Sequence, residues 1–531
     1  MIDLLKCTVD AKSEGYCDTE FNKVARIHKY WSRKPFHLVE ACIKRYSNKG
    51  DTVLDPFCGS GSTGIGSILN NRYFLGYDLN PAAIFIADCT LNNDYKLVDF
   101  CVEFEVLKEE IKKTIMELYK VDKSHYLLYS IVGENSKKYN AVVCDYDFLN
   151  KRKIVVADEI LRKDYTIPAE LKYPNKPFPK KFYKDRFSYK GVSYVSDMFT
   201  TRNLYALALL YNYIQNSKFK YKKLFLLAFS NTVLHASKLK AENVRPLSVN
   251  NYWIPNDYIE ENVIWRYIDR LENVMKAKEQ ICKKANGITH NDFYELRNKS
   301  SLHLEDVPDK SIDYIITDPP YGDAIQYSEL SFIWNCWLNM EYDNKDEVII
   351  NPAQNKGITE FQSQIKVFLG NAYRVLKDDS AFTLCFQNKD VKIWLELIQN
   401  IKDCGFSLDD IKIYDTFGSP YNKHWAKFSP KADLYVTFRK TNKVIHNLGI
   451  IHPEKIIDDI ISICDTTSFD INKGYDLFVA AVIYEVFKGK QVVDMKKWTL
   501  KRIVNLYEEK IGSVKTGHNK YIQRELPFFF D

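Results

Sequence analysis

The sequence predicts an α/β fold: a mostly parallel, helix-covered sheet, interrupted by a large, mainly helical insert and followed by a helical C-terminal region. Three observations predict it. An apolar strand at Val53-Leu54 runs into a glycine-rich turn, a helical stretch follows, and a second apolar run, Tyr73 to Tyr77, ends in Asp78. Strand–helix alternation resumes over residues 295–440, which argues for parallel strands covered by helices. Between the two lies a break of about 200 residues of different character, too long for a structureless loop and expected to fold as its own unit.

In chain order, residues 1–24 carry no clear pattern and are expected to form a surface arm. Leu38, Ala41, Cys42 and Ile43 recur at helical spacing, and Asn48-Lys49-Gly50-Asp51 reads as a turn. Asp55-Pro56-Phe57-Cys58-Gly59-Ser60-Gly61-Ser62-Thr63 is the glycine turn, whose glycines let a backbone approach a ligand closely. A helix is expected over 64–70. Asp78 ends the next strand about 20 residues past the turn, the place of a ribose-binding acid in nucleotide-binding βα units. Asn80-Pro81 opens another helix, with proline in its first turn.

In the insert, helices are expected over 102–119, 204–215 and 224–234, and a long amphipathic one over 259–285. Residues 173–184 mix lysines, prolines and aromatics; they read equally as a track for a phosphate backbone and as a solvated surface loop. Strands follow at 295–297, 312–316, 381–386 and 434–438, and helices at 365–376 and 391–404. The polar loop 351–357 is a candidate for substrate contact. Residues 475–488 are helical, and Lys496 to Arg502 form a cationic patch around Trp498 that reads more simply as a solvated helix face.

Thr317-Asp318-Pro319-Pro320-Tyr321 carries the chemistry. The prolines fix φ and lack N–H groups, so no ladder continues through them and their carbonyls stay open at the mouth of the sheet. The acid is a pure acceptor when ionised, and the tyrosine offers a flat stacking face. Such a corner can grip an exocyclic amine, the carboxylate and a proline carbonyl each accepting one of its hydrogens. A strand-ending turn is the bland reading of the same four residues.

Asp55-Pro56-Phe57-Cys58-Gly59-Ser60-Gly61 resembles motif I of the S-adenosylmethionine-dependent amino-group DNA methyltransferases. Asp318-Pro319-Pro320-Tyr321 resembles their catalytic motif IV, and His28 to Pro35 their motif X, in the order X, I, insert, IV. The resemblance covers roughly residues 25–90 and 295–440. It implies a Rossmann-like methyltransferase sheet with a late antiparallel strand and S-adenosyl-L-methionine as cofactor. The cofactor would be bordered by Tyr30, Lys34, Pro35, Asp55, Phe57, Gly59, Gly61, Thr63 and Asp78, with Asp318, Pro319, Pro320 and Tyr321 catalytic. Residues 1–96 and 295–440 would be the cofactor-binding and catalytic halves, 97–294 the target-recognition region and 441–531 a helical addition. Ser300 and Ser301 stand where many relatives place an acid near the cofactor adenine. Asp at the first catalytic position marks relatives that methylate adenine N6 in double-stranded DNA. Cytosine N4, RNA and an inactive DNA-binding relative are the alternatives. Whether a cognate restriction endonuclease accompanies the chain is left open.

Composition is consistent with a soluble globular chain: 531 residues, 46% hydrophobic and 27% charged, with a net charge of +6 that suits a polyanionic partner without requiring one. The 12 cysteines include no C-x-x-C pair, so no zinc ribbon is indicated. The N-terminus lacks the apolar core of a signal peptide, and no apolar run is long enough to span a membrane. A cytoplasmic protein without a metal is expected; its oligomeric state is not legible.

Overall fold

The computed structural model describes residues 8–9, 22–133, 140–179, 182, 192–247, 252–285, 291–415, 432–441, 448–463, 474–493 and 498–515. The chain divides into two compact units, Cys17–Asn371 and Met1–Tyr16 with Ala372–Asp531.

In the first unit, strands β1 (Thr52–Asp55), β2 (Tyr73–Tyr77), β7 (Tyr294–Arg297) and β8 (Ile312–Thr317) lie in the order β8-β1-β2-β7. All their pairings are parallel: Val53 is opposite Phe74 and Tyr314, and Gly76 is opposite Leu296. Both faces of such strands are covered, so they read as unbroken apolar runs rather than alternating ones. Val53, Leu54, Phe74, Tyr314 and Ile315 are accordingly buried. Helix α1 (Phe36–Tyr46) leads into β1 and buries Phe36, Leu38, Val39, Cys42 and Ile43 at helical spacing. Helix α2 (Ser62–Ile68) starts two residues earlier than the glycine pattern suggests, directly on the left-handed Gly61. In α3 (Pro81–Leu91), the Asn80 side chain accepts from the Ala82 N–H and proline takes the first turn.

The regular structure of the insert is mainly helical, as expected, but it also includes a small sheet. Four long helices, α4 (Leu97–Ile115), α5 (Thr201–Asn216), α6 (Lys222–Ala236) and α7 (Val263–Lys284), accompany an antiparallel sheet. Its strands, β3 (Tyr126–Val132), β4 (Ala141–Cys144), β5 (Lys151–Ile154) and β6 (Tyr258–Glu261), lie in the order β5-β4-β3-β6. The expected start of the long helix at Ile259 therefore falls inside β6. Asn262 separates the two elements: its side chain accepts from the N–H groups of Ile264 and Trp265, and its amide donates to the Leu127 carbonyl at 2.9 Å. Within residues 173–184, the rings of Phe178 and Phe182 pack against Tyr252 and Phe332, so these two aromatics serve the core. Lys180, Lys181, Tyr183 and Lys184 lie outside the described residues.

In the second unit, β11 (Ala432–Lys440) runs antiparallel between β9 (Leu376–Phe386) and β10 (Phe406–Asp415). This is the late antiparallel strand that the resemblance implied. The helix Gly474–Phe487 is tied to this sheet through buried Asp476, which accepts from Gln387 Nε2 at 2.8 Å and from the Ala432 N–H at 3.1 Å. Trp498 is buried against Phe478 with Arg502 over its outer face, so this part of the expected cationic patch is packed; Lys496 and Lys497 lie outside the described residues. Among the described residues, no helix is long and apolar enough to cross a membrane.

Candidate active site

Asp55 is the hub of the site. Its Oδ1 accepts from the Thr317 hydroxyl at 2.7 Å and from the Phe57 N–H at 3.1 Å, and its Oδ2 accepts from the Thr63 hydroxyl at 2.6 Å. One carboxylate thus fastens the glycine turn, the start of α2 and the end of β8, one residue before Asp318. The two motifs distant in sequence are neighbours because β1 and β8 pair directly. Burial pushes the Asp55 carboxyl up to about 6, against the hydrogen bonds that favour its anion.

The glycines are used for their backbones. Gly59 has φ 50° and donates its N–H to Asp78 Oδ2 at 2.9 Å; Gly61 has φ 85°. A Cβ on Gly59 would stand 3.0 Å from the Tyr30 ring, and one on Gly61 would stand 3.2 Å from the Ala87 Cβ. Gly61→Ala combines left-handed strain with crowding against the α3 backbone. It is expected to cost about 1–3 kcal/mol, read as a lowered unfolding midpoint.

Asp78 accepts from Gly59 and, at 2.8 Å, from the Asn80 N–H, and burial pushes its carboxyl up to about 7. Tyr30 lies above this turn, its ring stacked at 26° on that of Tyr327 with 6.0 Å between centroids. Burial pushes its hydroxyl well above the usual range, with the Asp78 charge adding to the effect. Phe57 sets its ring edge-on to Phe368.

The corner at the end of β8 has a partner the sequence reading assigned elsewhere. Lys34 Nζ lies 3.3 Å from Asp318 Oδ2 and donates to the Tyr321 hydroxyl, which in turn donates to Asp318 Oδ1. The ammonium also stands 5.2 Å from the Tyr321 ring centre. Pro35 fixes the entry to α1 immediately afterwards. Pro319 is buried, Pro320 half-buried.

Three further residues join the site. Tyr327, at the start of α8 (Tyr327–Trp337), faces both Tyr30 and Asp318. Glu347 is buried and accepts from the Ser328 N–H at 2.9 Å; burial raises its pKa. Tyr342 lies among Glu347, Asp78 and Tyr30. The segment that carries Glu347 is packed on Ser300, whose hydroxyl donates to the Asp346 carbonyl at 3.3 Å. Asn351, in the polar loop, is buried and braces α8, donating to Gln326 Oε1 and Glu329 Oε1 at 2.8 Å each.

A family model for DNA methylases of the N6/N4 type matches residues 11–88 and 312–522, together more than half of the chain. The chain belongs to the N6/N4 DNA methylase family. This methylase is 22% identical over 408 residues to the type II methyltransferase M.MjaII of Methanocaldococcus jannaschii, a match spanning 68% of the chain and 72% of that protein. It is 42% identical over 59 residues to the orphan methyltransferase M.BamHII of Bacillus amyloliquefaciens, spanning 11% of the chain and 22% of the relative. It is also 43% identical over 53 residues to the DNA adenine methyltransferase YhdJ of Escherichia coli K12, spanning 10% of the chain and 18% of the relative. The two shorter matches cover less than a quarter of those relatives.

Proposed function

We propose that this DNA methylase transfers a methyl group from S-adenosyl-L-methionine to the N6 amine of an adenine flipped out of double-stranded DNA. The observation that carries the reading is the Thr317–Asp55 hydrogen bond, which sets an acceptor corner at Asp318-Pro319-Pro320-Tyr321 beside the glycine turn. The site suits the donor's chemistry. Two buried carboxyls, Asp55 and Asp78, are pushed up by burial, a cost that a bound cation relieves. Side-chain-free backbone at Gly59 and Gly61 and the rings of Tyr30 and Tyr327 complete the lining. S-adenosylmethionine, when bound, supplies an electrophilic methyl group on a sulfonium.

The chain's own part is to prepare the amine. An adenine amine is a poor nucleophile because its lone pair is delocalised into the ring. Asp318 and the Pro319 carbonyl accept its two hydrogens and favour a tetrahedral nitrogen, while Tyr321 stacks on the ring. Orientation then supplies much of the rate. A base inside a duplex cannot reach such a corner, so it is extruded. Residues 97–294 are assigned to target recognition. Aspartate at the first catalytic position favours adenine N6 over cytosine N4, and relatives named as type II methyltransferases make a cognate restriction endonuclease a reasonable partner to seek.

Long-read sequencing of DNA from cells expressing the protein tests this reading. N6-methyladenine at a fixed motif is expected; N4-methylcytosine, or no modified base, overturns it. A ribose hydroxyl donates more strongly to an ionised Asp78 than to a protonated one, so donor affinity is expected to rise as pH passes about 7. Asp78→Asn is expected to bind more weakly and to lose that rise, both read by calorimetry.

A further inference from the structure

We propose that Lys34 is a positioning residue for methyl transfer: its ammonium holds the Asp318 carboxylate and the Tyr321 hydroxyl in the arrangement that receives the target amine. The inference rests on the reading of Asp318 as the acceptor of that amine. The sequence placed Lys34 beside the cofactor; the geometry points to the other side of the reaction. Lys34 Nζ is 3.3 Å from Asp318 Oδ2, and its side chain is only 9% exposed, so the pair is little screened by water. The same ammonium donates to the Tyr321 hydroxyl, and that hydroxyl donates to the other carboxylate oxygen. Both oxygens of Asp318 and the tip of Tyr321 are therefore set by one cation.

This arrangement answers a chemical need of the site. A protonated Asp318 would offer a donor to an amine that also donates, and the grip would fail. Burial raises the other two carboxyls of the site, Asp55 and Asp78, towards neutrality. Lys34 supplies Asp318 with an adjacent positive charge that favours its anion. Among the described residues, titratable groups facing Asp318 include Lys34 from the segment before α1, Tyr321 from its own loop and Tyr327 from α8. Of these three, Lys34 is the cation. Pro35 and the buried first turn of α1 anchor it, so the charge is held by a rigid element rather than a mobile loop.

The test compares full-length wild type, Lys34→Met, Lys34→Arg and Asp318→Asn in methyl transfer to DNA across pH, with the donor saturating at every pH so that the Asp78 dependence of donor binding does not enter the profile. Because the grip on the amine needs the Asp318 anion, rate is expected to fall where that carboxylate takes up a proton. Lys34→Met is expected to move this acid limb up by about one pH unit or more, and Lys34→Arg to restore it. Donor affinity by calorimetry is expected to stay within about twofold in Lys34→Met, since the lost contact is to the acceptor corner. A Lys34→Met profile parallel to the wild type, while Asp318→Asn lacks the acid limb, overturns the role of Lys34 alone. An acid limb that persists in Asp318→Asn overturns it together with the role of Asp318. A fall in donor affinity as large as that of Asp78→Asn returns Lys34 to the cofactor side and overturns the proposal.

Discussion

Asp318→Ala is expected to lower methyl transfer by about three orders of magnitude while leaving donor affinity within about twofold of the wild type. The glycine turn is fastened by Asp55, through Thr63, Phe57 and Thr317. Removal of the Asp318 side chain therefore takes away an acceptor without loosening the donor cradle. It also leaves the Lys34 ammonium beside the Tyr321 hydroxyl with its carboxylate gone. A positive charge would then face an amine that gains positive charge as the methyl group arrives, which adds to the barrier. Asp318→Asn should fall between the two, because an amide oxygen still accepts one hydrogen. Rapid-quench measurement of a single turnover, with excess enzyme over DNA, separates the chemical step from release. A single-turnover rate for Asp318→Ala within tenfold of the wild type would sink the assignment.

The parts of this fold that were legible in the sequence are those written locally. The strand, glycine turn, helix, strand and acid of residues 52–78 follow one another within a short span. Asp318-Pro319-Pro320-Tyr321 interrupts a strand in a way only a few chemistries use. The insert's sheet was not legible, for two physical reasons. The pairing that brings β6 into it is distant, with Tyr129 opposite Glu261, and β6 carries two consecutive glutamates that read as a solvated helix start. Those acids are buried because cations arrive from elsewhere: Arg202 reaches Glu260, and Lys240 and Arg266 reach Glu261. The same limit hid the contact of Lys34 with Tyr321, which lies 287 residues away. No periodicity reports such a contact.

The Glu260 pairing gives the largest expected effect on stability. Arg202 and Glu260 form an ion pair in which each side chain is only 2% exposed. Arg202 also donates to the Ile160 and Leu161 carbonyls, Thr200 donates to Glu260, and the Tyr165 ring lies 5.7 Å from the guanidinium. Beside it, Asn203 links α5 to the ends of α6 and β6, donating to the Ala236 carbonyl at 2.9 Å and the Glu261 carbonyl at 3.1 Å. Glu260→Ala strands a buried guanidinium, which costs about 3–5 kcal/mol, whereas replacing both partners by apolar residues costs far less. Arg202→Met with Glu260→Leu is therefore expected to unfold at a higher temperature than Glu260→Ala alone. Because the chain has two units and need not melt as one, the comparison is of midpoints for the transition that exposes the insert, followed by limited proteolysis. If the double variant melts no higher than the single one, the uncompensated charge is not what holds β6 to α5. The cost would then lie in the hydrogen bonds from Thr200 and to the 160–161 carbonyls, which the double variant also removes.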